Sequence, residues 1–259
     1  MRVGVVGAVG RMGAETCRAI DASGDLELVA AVSPAHAGMA LQELVGVGGD
    51  LLVTEDLDAL TAAECEVAVE FTGPTTVGEN LIGLLERGIH AVVGATGFDD
   101  RDLARAAALA DDGPANAVIA PNFAIGAVLL MMFAEQAAEH LPHVEVIEQH
   151  HDGKADAPSG TALRTADLIS KARPYIPDAP EGDERHPGAR GAVHADVRIH
   201  SVRLPGLVAH QEVVFGGQGQ TLTLRHDSLD RSSFMPGVVL ACREVAGLDG
   251  LVVGLEHLL

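Results

Sequence analysis

The chain has 259 residues, 47% of them hydrophobic, enough for one large α/β domain or two smaller ones with cores of their own. Against 37 Asp and Glu stand 17 Lys and Arg, a formal net charge of −20, and aromatic residues make up 3% of the chain with no Trp. Such a field repels nucleic-acid phosphates and anionic lipid, and base-stacking platforms lack their rings, so neither nucleic acid nor membrane is expected as a partner.

From Met1 the chain runs directly into RVGVVGA, too short and too glycine-rich for the apolar core of a signal peptide. No apolar run approaches the roughly 20 residues of a membrane span. Cys17, Cys65 and Cys242 are widely separated and show no C-x-x-C spacing. They read as reduced, buried thiols of a cytoplasmic protein.

Short β-branched runs alternate with Ala/Leu-rich helical patterns through the first half, which predicts a parallel sheet covered by helices. Strands are expected at 2–7, 26–32, 66–72, 90–96 and 117–122, with helices near 11–22, 75–87 and 99–111. The loop GAVGRMG follows the first strand and opens a helix, with Gly7, Gly10 and Gly13 where a βα turn must approach a ligand. Backbone N–H groups there, with the positive end of the helix, suit a pyrophosphate.

An NAD-selective site normally carries Asp or Glu at the end of the second strand. Here that strand ends in AAVSPAHAG, Ser33 takes the place, and no carboxylate occurs between Glu27 and Glu43. Either a 2′-phosphate is accommodated, with Arg11 or His36 as its partner, or Ser33 bonds a ribose hydroxyl and discriminates little. NADPH is expected to bind at least as well as NADH. Two further strand ends, GATGF (94–98) and APNF (120–123), fall on the same edge. Gly94, Ala95 and Thr96 are candidates for the nicotinamide ribose and amide, and Asn122 for the ring or substrate.

After Asn122 the pattern changes. A long apolar helix, IGAVLLMMFAEQAAEHL, leads to the strand VEVIEQ, then to the loop HHDGKADAPSGT (150–161), then to a helix at 159–173. Residues 173–191, rich in Pro, Gly and charge, read as a mobile loop. HADVRIHSVR, LVAHQEVVFG and QTLTLRHD follow as three strands joined by LPG and GGQG, which predicts hairpins and a second sheet. A helix at 230–246 and a strand GLVVGLE close the chain. The division expected is a dinucleotide-binding domain over 1–122, to which 230–259 returns, and a substrate-binding and oligomerisation domain over 123–229. The fold class is α/β, a Rossmann-like parallel sheet followed by an α+β domain with a mixed sheet.

The loop 150–161 carries the densest chemistry. Zinc is disfavoured: adjacent histidines in a strand-like segment point opposite ways, Lys154 repels a cation, and no Cys lies near, so no metal is expected. A hydrolase nucleophile would sit on a G-x-S-x-G elbow, whereas Ser159 follows Pro158 and reads as a helix N-cap. An anion site beside an acid remains. Ser159, Gly160 and Thr161 suit a carboxylate, His151 and Lys154 add donors, and His150 is the candidate general acid.

VGVVGAVGRMG, HAVVGATGF, APNFAIGAVLL, EVIEQHHDGKADAPSGTA and RHDSLDRSSFMPGV, in this order over essentially the whole chain, resemble the 4-hydroxy-tetrahydrodipicolinate (dihydrodipicolinate) reductase family. The resemblance implies NADPH- or NADH-dependent reduction of a cyclic dicarboxylate with loss of water, in lysine and diaminopimelate biosynthesis, by a homotetramer built on the second sheet. It implies His150 and Lys154 as the catalytic pair, and His151, Lys154, Ser159, Gly160 and Thr161 as carboxylate binders. Cofactor contacts fall to Gly7, Ala8, Val9, Gly10, Arg11, Met12, Ser33, Gly94, Ala95, Thr96, Ala120, Pro121, Asn122 and Phe123. Two departures stand out: many members carry an acid at the place of Ser33, and the usual GTTG is GATG here, so Ala95 offers only its backbone. Domain closure is expected to hinge near 122–123 and 228–230.

Two other readings make distinct demands. A semialdehyde or homoserine dehydrogenase shares the architecture, and the semialdehyde enzyme needs a nucleophilic Cys in a loop. A redox-sensing regulator needs a basic DNA-binding helix, which the chain lacks.

Overall fold

The computed structural model describes residues 1–178 and 184–259 and divides into two units, Met1–Phe123 with Phe234–Leu259, and Ala124–Ser233. In chain order the first unit opens with β1 (Arg2–Val6), α1 (Arg11–Asp21), β2 (Glu27–Val32), α2 (Leu41–Val45), β3 (Val53–Thr54) and α3 (Asp58–Ala62). It continues with β4 (Val67–Glu70), α4 (Val77–Glu86), β5 (His90–Val93), α5 (Asp100–Asp112) and β6 (Ala117–Ile119). The second unit holds α6 (Ile125–Ala138), β7 (His143–His150), α7 (Gly160–Ala172), β8 (Ala192–His194), β9 (Val197–Arg203), β10 (Ala209–Gly217) and β11 (Gln220–Ser228). The chain then rejoins the first unit as α8 (Met235–Glu244) and β12 (Leu251–Val253).

The seven strands of the first unit are all parallel, in the order β12-β6-β5-β4-β1-β2-β3. Strands covered on both faces must be apolar throughout, and Val3, Val5, Val67, Val69, Val92 and Val118 are all fully buried. On α1 the buried positions are Gly13, Thr16, Cys17 and Ile20, the spacing of one helical stripe. Asp99 caps α5 by accepting from the Arg101 and Asp102 N–H groups at 2.9 and 2.8 Å. The returning segment is clasped by Asn116, whose Nδ2 donates to Leu248 O at 2.7 Å and whose Oδ1 accepts from Gly250 N at 3.2 Å.

In the second unit the order is β11-β10-β7-β9-β8, with β7 and β9 parallel and the other pairs antiparallel. Leu130 and Ala134 of α6 and Ala166 and Ile169 of α7 pack with Val146, Ile199, Val213 and Phe215 in one core. Alternation along the strands sends Glu145, Ile147, His200, Glu212 and Val214 to the opposite face, where none is fully buried.

Several expectations need correction. The run 194–203 is two strands, because Ala195 and Asp196 both take left-handed φ values, 48° and 59°, and turn the chain back on itself. GGQG does join a hairpin, β10 to β11, but LPG does not join one. There β9 and β10 lie on opposite sides of β7, so the chain between them crosses over that strand. β3, α2 and α3 were not expected, the strand ends at 71–72, 94–96 and 120–122 are loops, and residues 231–234 form a 3₁₀ turn ahead of α8. Of the loop expected over 173–191, residues 179–183 lie outside those described.

Candidate active site

The sheet order of the first unit reverses at β1 and β4, and open α/β sheets take ligands in the crevice beyond such a reversal. The three loop glycines there have different jobs. Gly7 has φ 82°, and a Cβ on Gly13 would stand 2.1 Å from the Gly7 carbonyl oxygen, so these two close the turn and bring α1 against it. At Gly10 a Cβ would meet only that oxygen, at 3.2 Å. The N–H groups of Gly7 and Ala8 both donate to Val32 O, at 2.9 and 3.1 Å, and that of Gly10 to Gly7 O at 2.9 Å. Their expected use as donors to a phosphate is therefore corrected, because they already fasten the loop to β2 and to itself. The first N–H groups of α1, from Arg11 onward, have no intrahelical acceptor, and no side chain caps them. A pyrophosphate fits this uncapped end and the space above Gly10.

At the end of β2, Ser33 Oγ lies 3.1 Å from His36 Nδ1, and the Ser33 N–H donates to Thr54 O at 2.9 Å. The Arg11 side chain is exposed and, among the described residues, makes no ion pair. Gly94 follows β5 against the edge-on pair Phe71 and Phe123, whose ring centroids are 5.9 Å apart, and a Cβ on it would strike both rings. Thr96 is exposed, Ala95 and Asn122 are half-buried, and Pro121 is exposed. Gly237 of α8 lets that helix touch the Phe123 carbonyl, where a Cβ would come within 2.0 Å.

Glu70, at the end of β4, was not anticipated. It is fully buried, its Oε1 accepts from Thr72 N and Asn80 Nδ2, each at 3.1 Å, and from the Thr72 hydroxyl, while Oε2 has no partner among the described residues. Burial pushes its carboxyl above the ordinary range against those hydrogen bonds. An acid closing an otherwise apolar run, EVAVEFT, was the available signal.

In the second unit the loop 150–161 leaves β7 and enters α7. His150 ends β7 with Nδ1 2.5 Å from Glu148 Oε2, and Glu148 is fully buried. Arg203 grips both Glu148 oxygens, at 2.9 and 2.8 Å, and also donates to Asp156 O in the loop at 2.7 Å. Burial pushes the Glu148 carboxyl up, but hydrogen bonds from His150, Arg203 and Ser201 outweigh it and bring it down to about 2. Glu148 too was missed: alternation along VEVIEQ sets it on the face of Val146, but nothing local supplies the partners an acid needs there.

Ser159 caps α7 by accepting from Ala162 N at 3.2 Å, and its own N–H donates to Glu148 Oε1 at 3.3 Å. Only its hydroxyl proton is left for a ligand, which narrows the role expected of it. A Cβ on Gly160 would meet nothing within 4 Å, so space over the helix start is open. His151 is exposed, and Thr161 is half-buried. Lys154 Nζ lies 2.8 Å from Asp156 Oδ1, and that hydrogen bond holds the Asp156 carboxyl below its usual range. Lys154 is thus paired, though across a partly exposed contact worth little.

Among the described residues no group of three His, Cys, Asp or Glu is placed to hold a metal ion, and no helix is long and apolar enough to cross a membrane. The thiols of Cys17, Cys65 and Cys242 are buried, which pushes each up to about 12, so none serves as the nucleophile a semialdehyde dehydrogenase needs.

Comparison with known proteins agrees over the full length. The family models described as dihydrodipicolinate reductase, N-terminus and C-terminus, match residues 1–123 and 126–259. A 4-hydroxy-tetrahydrodipicolinate reductase of Mycolicibacterium smegmatis is 51% identical, over 100% of this chain and 99% of its own. One from Halalkalibacterium halodurans is 49% identical, also over 100% and 99%. The solved dipicolinate-bound dihydrodipicolinate reductase of Paenisporosarcina sp. TG-14 superposes with a TM-score of 0.89 at 42% identity, covering 100% of this chain and 99% of that one. From its glycine loop to its last strand, the chain belongs to the dihydrodipicolinate reductase family.

Proposed function

We propose that the chain reduces 4-hydroxy-tetrahydrodipicolinate to tetrahydrodipicolinate and water at the expense of NADPH or NADH, as a step of lysine and diaminopimelate biosynthesis. The observation that carries this reading is the loop of the second unit, where His150 stands beside a helix start open to an anion.

The first unit is assigned the dinucleotide: the uncapped start of α1 and the space at Gly10 hold the pyrophosphate, with Val9 and Met12 beside it. Gly94 to Thr96 and Ala120 to Phe123 border the nicotinamide end. Arg11, with no ion pair among the described residues, and the Ser33–His36 pair support a preference for NADPH. Loss of the 4-hydroxyl with a proton from the adjacent ring carbon, as water, leaves a double bond conjugated with the substrate imine; when bound, the nicotinamide supplies a hydride to that ring carbon, and negative charge develops on the neighbouring carbon.

The second unit's residues do the rest. Gly160, Thr161 and the Ser159 hydroxyl hold one carboxylate at the positive end of α7. Lys154 exchanges Asp156 for the substrate, and His151 adds a donor. His150 supplies the proton to the developing carbanion from Nε2, since Nδ1 is engaged with Glu148. In a chain of charge −20 these donors are what a dianion needs at the site. The partly covered sheet face bearing Glu145, Ile147 and Val214 is the surface assigned to a homotetramer. Three free thiols and a reduced nucleotide as co-substrate support a cytoplasmic setting.

The test is NADPH oxidation dependent on the product of a dihydrodipicolinate synthase. His150→Ala is expected to lower kcat by about 10²–10⁴ with little change in KM, the range for loss of a general acid. Turnover near wild type in that variant refutes the assignment.

A further inference from the structure

The side chains around His150 form a relay that the family resemblance did not anticipate. Glu148 lies two residues before it on β7, on the same face, with no exposed surface. Its two oxygens meet His150 Nδ1, both terminal nitrogens of Arg203, the Ser159 N–H and the Ser201 side chain. Arg203 reaches it from β9, where Glu148 is in register with Ser201 and His150 with Arg203.

A carboxylate clamped by a bidentate guanidinium keeps no proton of its own. The hydrogen bond to His150 therefore has only one sense: Nδ1–H donates and Glu148 accepts. In the neutral ring this fixes the tautomer, and Nε2 becomes the nitrogen that faces a ligand. When the ring is protonated, the buried carboxylate at 2.5 Å compensates its charge.

We propose that Glu148 is the positioning residue of the active site, holding His150 with Nε2 outward for proton delivery, while Arg203 secures Glu148 and ties it to the loop at Asp156. The inference rests on the reading of His150 as the general acid. Glu148 touches no substrate and acts through the ring. The arrangement has the logic of an acid that orients a catalytic histidine in hydrolases, on an unrelated fold and in the service of an acid rather than a base.

The experiment compares Glu148→Gln, His150→Ala and the double variant in steady-state assays, and records ¹⁵N shifts of the His150 ring in the full chain. Glu148→Gln is expected to lower kcat by about 10²-fold with KM changed by less than about threefold, and to cost nothing more in the His150→Ala background. The wild-type ring is expected to show protonated Nδ1 in its neutral form. Equal losses from Glu148→Gln in both backgrounds, or a wild-type ring protonated at Nε2, overturn the inference and leave the general-acid reading standing. Wild-type turnover by His150→Ala overturns both. Should Glu148→Gln not fold, Glu148→Asp and the wild-type ring spectrum decide: an aspartate variant with full kcat, or the wrong tautomer, refutes the role.

Discussion

Alanine at each loop glycine separates packing from ligand binding, because the three positions differ in what a methyl group meets. At Gly13 the new Cβ lies 2.1 Å from the Gly7 carbonyl oxygen and 2.7 Å from its carbon, both backbone atoms that cannot rotate aside. Ordinary contact requires α1 to move by roughly 1 Å. Overpacking of this kind costs about 1–3 kcal/mol, offset by up to about 1 kcal/mol because Ala favours a helix over Gly. A net loss of about 2 kcal/mol lowers the first unit's unfolding midpoint by about 4–8 °C. At Gly10 the single contact, 3.2 Å to the same oxygen, asks for a shift of only a few tenths of an ångström. Stability should stay within about 1 kcal/mol of wild type, while NADPH affinity falls by about tenfold or more as the methyl group enters the phosphate space. Thermal unfolding followed by circular dichroism, and nucleotide fluorescence titration on the same preparations, read both. Gly13→Ala melting with the wild type, or Gly10→Ala binding NADPH with unchanged Kd, refutes the division of labour.

Ser33→Asp should turn the chain toward NADH. A carboxylate set against a 2′-phosphate costs on the order of 2 kcal/mol, about 30-fold in the ratio of kcat/KM values, and an unchanged ratio refutes the placement. Ile147→Arg, at the centre of the partly covered sheet face, should convert a tetramer to smaller species by mass photometry or ultracentrifugation; a wild-type chain that is monomeric at micromolar concentration refutes that assignment. Glu70 makes stability depend on pH with a defined sign. Its folded-state carboxyl is raised, so its contribution is full below the ordinary value of 4.5 and is lost as pH rises through the raised one. Glu70→Gln removes the buried charge and should melt progressively higher than wild type as pH rises above the ordinary value; a difference independent of pH refutes it.

Local chemistry made the phosphate turn and the loop after β7 readable. Gly7 and Gly13 serve backbone demands that only glycine meets, and Ser159 caps the helix its sequence announces. What escaped depends on partners far along the chain. β3 has two residues and α2 and α3 five each, too few for a period to show. The turn at Ala195 and Asp196 lacks the glycine that normally marks left-handed backbone. The crossover between β9 and β10 is set by β7, which claims both as neighbours. Glu148 owes its place to Arg203, 55 residues on, a partner that no local pattern announces.

The second unit is an insertion between β6 and α8, which bears on the order in which the chain can mature during synthesis. All five strands of the inserted sheet leave the ribosome before β12 does, so that sheet can close while the other still lacks its last member. Until then β6 presents an open flank, and the donors and acceptors of Asn116 wait for carbonyls and an amide some 130 positions downstream. The nascent nucleotide domain thus passes through an interval with one unsealed edge, and removing the chain from Leu251 onward would make that interval permanent.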